Sequence, residues 1–149
     1  MDSEILVPFF KLTLAALLGL AIGAERTIAG KNAGMRTFAL VSLGSALFVV
    51  ISEQINLQYL GQVNFDPMRI SAGIITGVGF IGAGMIFSKD DLLKGLTTAA
   101  GLWAIAGIGM AVGFGLYTIS IFSTLLVLFI FTALWFLEEK VRVQLLTRK

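Results

Sequence analysis

Residues 77–82 read GVGFIG. Glycines at the first, third and sixth places of such a run can cradle the pyrophosphate of a dinucleotide. That chemistry needs a strand end, a tight turn and a helix N-terminus aimed at the phosphates, with an acidic residue roughly 20 positions further on. Here the glycines lie inside an apolar run from Ile70 to Phe87 that holds neither charge nor proline, and the chain reads TTAAGLWAIAG where the ribose-binding carboxylate belongs. No Asp or Glu follows Asp91 until Glu138. The context argues against a nucleotide, and the glycines need another explanation.

The rest of the chemical inventory is equally restrictive. The chain has no cysteine and no histidine, which removes disulfides, thiolate and imidazole metal sites, and both Cys–His and Ser–His catalysis. No G-x-x-x-x-G-K-[ST] run is present, so ATP hydrolysis is not expected. No acidic residue stands in the middle of an apolar stretch, so one subunit offers few hard ligands to a dehydrated Mg²⁺, and no metal or cofactor site is assigned. The net charge of +2 is small and the basic residues are scattered, which gives no footprint for nucleic acid. These absences lead to the expectation of a protein that is not an enzyme.

Three polar constellations remain. GAERTIAGKNAGMRT at 23–37 places Glu25, Arg26, Lys31, Asn32 and Arg36 between two apolar stretches. It reads either as a topological anchor with one Glu–Arg pair or as a polar mouth into which Glu25 and Arg36 fold back. FDPMRI carries Asp66, Pro67 and Arg69. Asp-Pro is a helix start, the carboxylate accepting orphan amides and Pro fitting the first turn, whereas Arg69 enters the following apolar stretch and is a functional candidate. GLTTAA at 95–100 brings Thr97 and Thr98 to another helix start, where hydroxyls can cap, bond to a neighbouring helix or line a polar path.

The elements that hold these residues are set by lipid. The chain has 149 residues, 57% of them hydrophobic and 13% charged, with a mean hydropathy of +0.93, too little polar surface to cover a soluble core of this size. Five apolar stretches stand at about 5–24, 37–52, 69–87, 96–114 and 116–137. Crossing roughly 30 Å of hydrocarbon takes about 20 helical residues, so four fit and the second is short. Its end at Glu53 and Gln54 lets polar side chains reach the interface. Lipid cannot satisfy backbone amides, and no stretch alternates like a membrane strand. The N-terminus MDSEILVPFF lacks the basic region of a signal peptide, so the first stretch reads as a retained span.

All basic residues except Lys11 and Arg69 fall on one side of a chain that crosses five times. The positive-inside rule then puts the N-terminus outside and the C-terminus inside. Lys11, about two turns into the first helix, is assigned to snorkelling. The fold class read here is an all-α integral membrane protein, a bundle of five helices spanning 1–137, with a short basic tail at 138–149.

The glycines belong to that bundle. At about 100° per residue, Gly73, Gly77 and Gly84 share one face of the third helix, with Gly79 and Gly82 nearly opposite. Small residues let membrane helices approach closely, so this helix is expected at the centre of the bundle. Its expected partners are the first helix, through Gly19 and Gly23, and the fourth, through Thr97 and Gly101. The fifth, rich in Phe and Leu and ending in Trp135 and Phe136, is expected to face lipid.

Three segments, GLAIGAERTIAGKNAGMRTFALVSLGSALF, DPMRISAGIITGVGFIGAGMIF and GLTTAAGLWAIAGIGMAVGFGLY, resemble in order and spacing the three blocks of the MgtC/SapB family of bacterial inner-membrane proteins. The resemblance covers about residues 10–117. It implies a role in growth under Mg²⁺ limitation and, in some pathogens, in survival inside host cells, through regulation of other membrane machines and contact with small membrane peptides. By match to these blocks it singles out Glu25, Arg26, Arg36, Thr37, Asp66, Arg69, Gly77, Gly79, Gly82, Gly84, Thr97 and Thr98. Many members continue into a soluble C-terminal domain, whereas this sequence ends about a dozen residues after the fifth stretch, the expectation being a short form.

The combined reading is a multi-pass inner-membrane protein without cofactor or nucleotide. It is expected to assemble as a homo-oligomer, a dimer being favoured, and to modulate membrane proteins or bind a small membrane peptide. The alternative is a small oligomeric channel or transporter for an ion such as Mg²⁺ or K⁺, its path running from Asp66 and Arg69 to Glu25 and Arg36 past Thr97 and Thr98.

Overall fold

A computed structural model describes residues 2–59, 66–89, 92–137 and 140. The basic tail read at 138–149 lies outside these residues, Lys140 excepted.

The order is α1 (Asp2–Ile28), α2 (Met35–Gln58), α3 (Pro67–Met85), β1 (Phe87–Lys89), β2 (Leu92–Lys94), α4 (Leu96–Gly113) and α5 (Tyr117–Phe129). A π-helical turn at Ile130–Leu134 prolongs α5. Five helical segments, the last being Tyr117–Leu137, are long and apolar enough to cross a membrane. The second is longer than its apolar stretch, because α2 continues through Ser52, Glu53 and Asn56 to Gln58. Glu53 ends the apolar run but not the helix, since its carboxylate is met by Lys11 of α1.

Local chemistry sets the boundaries. Asp66 caps α3, its Oδ1 accepting the Met68 amide at 2.9 Å, and Pro67 occupies the first turn, as the Asp-Pro pair predicts. α1 and α4 stop in the same way. Past α1, Lys31 N–H donates to Arg26 C=O and Gly30 N–H to Thr27 C=O; past α4, Leu116 and Gly115 repeat the pattern on Ala111 and Val112. Gly30 and Gly115 have φ of 65° and 76°, the left-handed turn that this helix stop requires. β1 and β2 pair antiparallel, Phe87 opposite Lys94 and Lys89 opposite Leu92. This hairpin connects α3 to α4.

The helix at the centre is α4, not α3. α4 packs against each of the other four helices and buries Leu102, Ile105, Ala106, Ile108 and Val112. Close approach is made by its own small residues. A Cβ on Gly109 would collide with the Ser42 carbonyl of α2, and one on Gly113 would stand 2.7 Å from Val49 Cβ. α1 meets α2 in the same manner, a Cβ on Gly19 or Gly23 falling 2.6 Å from the Phe38 carbonyl oxygen or Met35 Cα.

The glycine-rich α3 lies at the edge, against α4 and α2. Among the described residues, only Gly82 of its glycines meets a neighbour, Ala99 Cβ at 3.6 Å, and nothing stands within 4 Å of a Cβ built on Gly73, Gly77, Gly79 or Gly84. Phe80 on the same helix is 83% exposed. Glycine count marks where bulk is absent, and the sequence does not say which bare face a neighbour covers. α5 turns most of its surface outward and buries Ser120, Thr124 and Phe131, in keeping with the lipid-facing expectation.

Candidate functional site

Because the helices alternate in direction, one end of the bundle gathers the C-terminus of α1, the N-termini of α2 and α4, the hairpin and the end of α5. Arg26 closes the last turn of α1 there and is 3% exposed. Its guanidinium grips Glu25 with both arms, Nη2 to Oε1 at 2.6 Å and Nε to Oε2, and its Cζ stands 3.7 Å from the centroid of the Phe131 ring. A forked carboxylate on one side and an aromatic face on the other suit a planar cation removed from water. Phe131 reaches this place from the π turn, and it also presses on α4, where a Cβ on Gly101 would lie 2.7 Å from its ring.

The α1–α2 connection is fastened by a residue that sequence reasoning passed over. Thr27 Oγ1 donates to the Gly23 carbonyl at 3.0 Å and accepts from the Met35 amide at 3.1 Å. It thereby supplies the cap that Gly34, the N-cap residue of α2, has no side chain to provide. Glu25 pairs with Arg26, whereas Arg36 is exposed at the start of α2. The fold-back of Arg36 and Glu25 into a common mouth is therefore not what the chain adopts. Asn32 is exposed and Thr37 half-buried.

Beside that connection lies a cavity of about 430 Å³ between the 30–32 turn and the hairpin, lined by Lys31, Asn32, Lys94, Gly95 and Thr98 among others. Neither threonine caps α4, whose N-cap is Gly95 without a side-chain hydrogen bond. Thr97 is exposed; Thr98 is 5% exposed and lines this cavity.

At the opposite end, Lys11 Nζ reaches Glu53 Oε2 at 2.7 Å, joining α1 to α2. Lys11 is thus buried and paired, where the sequence suggested snorkelling. The opposite charges at matching depth on two antiparallel helices were the signal that could have found it. Arg69 is exposed and lines an apolar groove of about 570 Å³ between α2 and α3, together with Leu40, Phe48, Gly73, Gly77 and Ile81.

The two cavities share no lining residue. Asp66 and Arg69, at the start of α3, lie at the opposite end of the bundle from Glu25, Arg36, Thr97 and Thr98. Among the described residues no three His, Cys, Asp or Glu side chains cluster where a metal ion could sit. One hydroxyl inside the core, Ser42 Oγ, has no hydrogen-bond partner among them.

The model of the MgtC family matches residues 12–140, most of the chain and every polar residue named above except Lys11. The chain belongs to the MgtC family. Its relatives include the Escherichia coli (strain K12) protein named "Putative magnesium transporter YhiD", 47% identical over 131 residues, 85% of this chain and 61% of that protein. Protein SapB of Bacillus subtilis (strain 168) is 40% identical over 85% of this chain and 55% of its own length. Protein MgtC of Salmonella typhimurium (strain 14028s / SGSC 2262) is 40% identical over 85% and 52%. The chain therefore spans between about half and six-tenths of the length of these curated relatives. No solved structure matches. Five spans together with MgtC-family membership make this a multi-pass bacterial membrane protein.

Proposed function

We propose that this MgtC-family chain is a non-enzymatic protein of the bacterial inner membrane that supports adaptation to low Mg²⁺ by modulating other membrane proteins. The observation that carries the reading is the bare face of α3. Gly73, Gly77, Gly79 and Gly84 leave room for a Cβ that nothing among the described residues fills, and Gly73 and Gly77 line a groove with Arg69. Small residues at a lipid-facing surface favour close approach of another helix, where dispersion contacts supply the attraction. The occupant we assign is a second copy of the chain, in a dimer whose joint surface then meets the modulated protein or a small membrane peptide. The N-terminus lies outside, since the end bearing Arg26, Lys31, Arg36 and Lys94 carries the basic excess.

The reading as an ion channel or transporter has one specific support, the name of the Escherichia coli relative. Glu25 and Glu53 are held in ion pairs and Asp66 is engaged as a cap, so none of these three carboxylates is offered to a Mg²⁺ path within one subunit.

Ion flux into liposomes containing the purified protein, with Mg²⁺, K⁺ and H⁺ followed separately, divides the two. Tight vesicles holding a folded dimer are the outcome expected here. Flux that disappears in Arg69→Ala would overturn the modulator reading. Gly77→Leu should fold as the wild type does and lose the dimer in cross-linking; a dimer unaffected by it would remove α3 from the interface.

A further inference from the structure

α4 begins without a cap of its own. Ala99 N–H is the first to find an intrahelical acceptor, the Gly95 carbonyl at 2.8 Å, so the amides of Leu96, Thr97 and Thr98 have none within the helix. Gly95 holds a φ of 90°, and a Cβ there would collide with the Met85 carbonyl; no side chain can grow at this position to cover the helix end. The aligned peptides of an 18-residue helix place the equivalent of about half a positive charge at such a terminus.

A second feature, independent of the helix end, points to a ligand. Thr98 is 95% buried by its 5% exposure and lines the 430 Å³ cavity in front of this terminus. Among the described residues its hydroxyl has no hydrogen-bond partner. The polar atom enclosed without a partner among the described residues is Ser42 Oγ, not Thr98 Oγ1, so the Thr98 hydroxyl keeps access to the cavity and can meet an acceptor there. Around it stand the ammonium groups of Lys31 and Lys94 and the amide of Asn32, and no carboxylate among the described residues lines the cavity. Donors and positive charge converge from three separate segments, the 30–32 turn, β2 and the first turn of α4.

We propose that this cavity binds a phosphate-type anion, its oxygens taken up by the open amides of α4, Thr98 Oγ1, Asn32 and the two lysines. A tetrahedral oxyanion offers enough acceptors for donors arriving from several directions, and the two ammonium groups meet its negative charge. The same chemistry is presented by the headgroup of an anionic phospholipid and by a soluble phosphate. Phe87, which lines the cavity, and Leu92 and Leu93 of the same hairpin are exposed, and the hairpin joins two helices of membrane-spanning length, a place that either source can reach. The site does not depend on whether the protein modulates partners or conducts ions.

The test uses the full chain. In dodecylmaltoside micelles, which carry no phosphate, inorganic phosphate is titrated against chloride at constant ionic strength and thermal unfolding is followed. In parallel, retention of phosphatidylglycerol is measured by native mass spectrometry after transfer from nanodiscs of phosphatidylcholine with and without phosphatidylglycerol. Saturable binding in the first arm identifies a soluble anion, in the second a lipid headgroup, and either supports the site. Lys94→Gln, Lys31→Gln and Thr98→Val should each weaken binding about tenfold or more, Thr98→Ser should restore it, and exposed Lys140→Gln should leave it unchanged. Lys31→Gln alters only an exposed side chain, so its result is readable even if Thr98→Val disturbs the fold. Absence of saturable binding in both arms, or an equal loss in Lys140→Gln, would overturn the proposal.

Discussion

Breaking the ion pair between α1 and α2 should cost different amounts depending on which partner is removed. The Lys11 side chain is 11% exposed and that of Glu53 32%. Glu53→Gln strands an ammonium with little access to water, and removing one partner of a buried pair costs about 3–5 kcal/mol. Lys11→Met strands a carboxylate that is one-third exposed, which brings its cost down toward the value of about 1 kcal/mol typical of surface pairs. Partial snorkelling of the freed lysine lowers the first figure, so about 2–4 kcal/mol is expected for Glu53→Gln and about 1–2 kcal/mol for Lys11→Met. Lys11→Met combined with Glu53→Leu removes both charges and should return to within about 1 kcal/mol of wild type. Reversible unfolding in mixed micelles of dodecylmaltoside and sodium dodecyl sulfate gives each value, and the double-mutant cycle isolates the coupling. Additive single effects, or a larger loss for Lys11→Met than for Glu53→Gln, would show that the pair is not the buried, asymmetric contact described.

Two further outcomes follow from the packing. Gly109→Leu drives a side chain into the Ser42 carbonyl and should lower stability in the same micelle titration by at least the about 1–3 kcal/mol of an overpacked core, whereas the open site at Gly77 tolerates the same change in the monomer. Phe131→Leu keeps the volume roughly filled but takes the ring from Arg26, so a loss of about 0.5–2 kcal/mol is expected, and replacement by Tyr should recover it.

The number of spans and the Asp66 cap were legible because each depends on residues close in sequence or on hydropathy alone. The position of α3 was not. GVGFIG says that a helix is narrow, but the chain spends its close approaches at Gly19, Gly23, Gly109 and Gly113, where the neighbour is a backbone distant in sequence. The Lys11–Glu53 pair was hidden for a related reason, since reading each charge against lipid alone assigns both to the interface. Of the polar end, one Glu–Arg pair was among the two readings open for Glu25 without its partner being fixed, and nothing among the many Phe and Leu of α5 distinguishes Phe131. The role of Thr98 depends on a cavity that forms only when the hairpin, a structure with no strong strand signal in FSKDDLLKG, turns Lys94 toward the 30–32 turn.

The π turn at Ile130–Leu134 has a bearing on how the end of the chain is aimed. A π turn accommodates one residue more than the α-helix would, so everything beyond it is rotated by about 100° and advanced by about 1.5 Å relative to an uninterrupted helix. That single residue sets the compass bearing at which Trp135 and Phe136 leave the bundle and from which any following segment departs. Deleting one residue within 130–134 would relax the turn to ordinary helix and swing the exit to another side of the protein. It would shorten the fifth crossing, Tyr117–Leu137, by one residue and leave the other four as they are, which makes this turn a point at which one codon gained or lost redirects whatever follows α5.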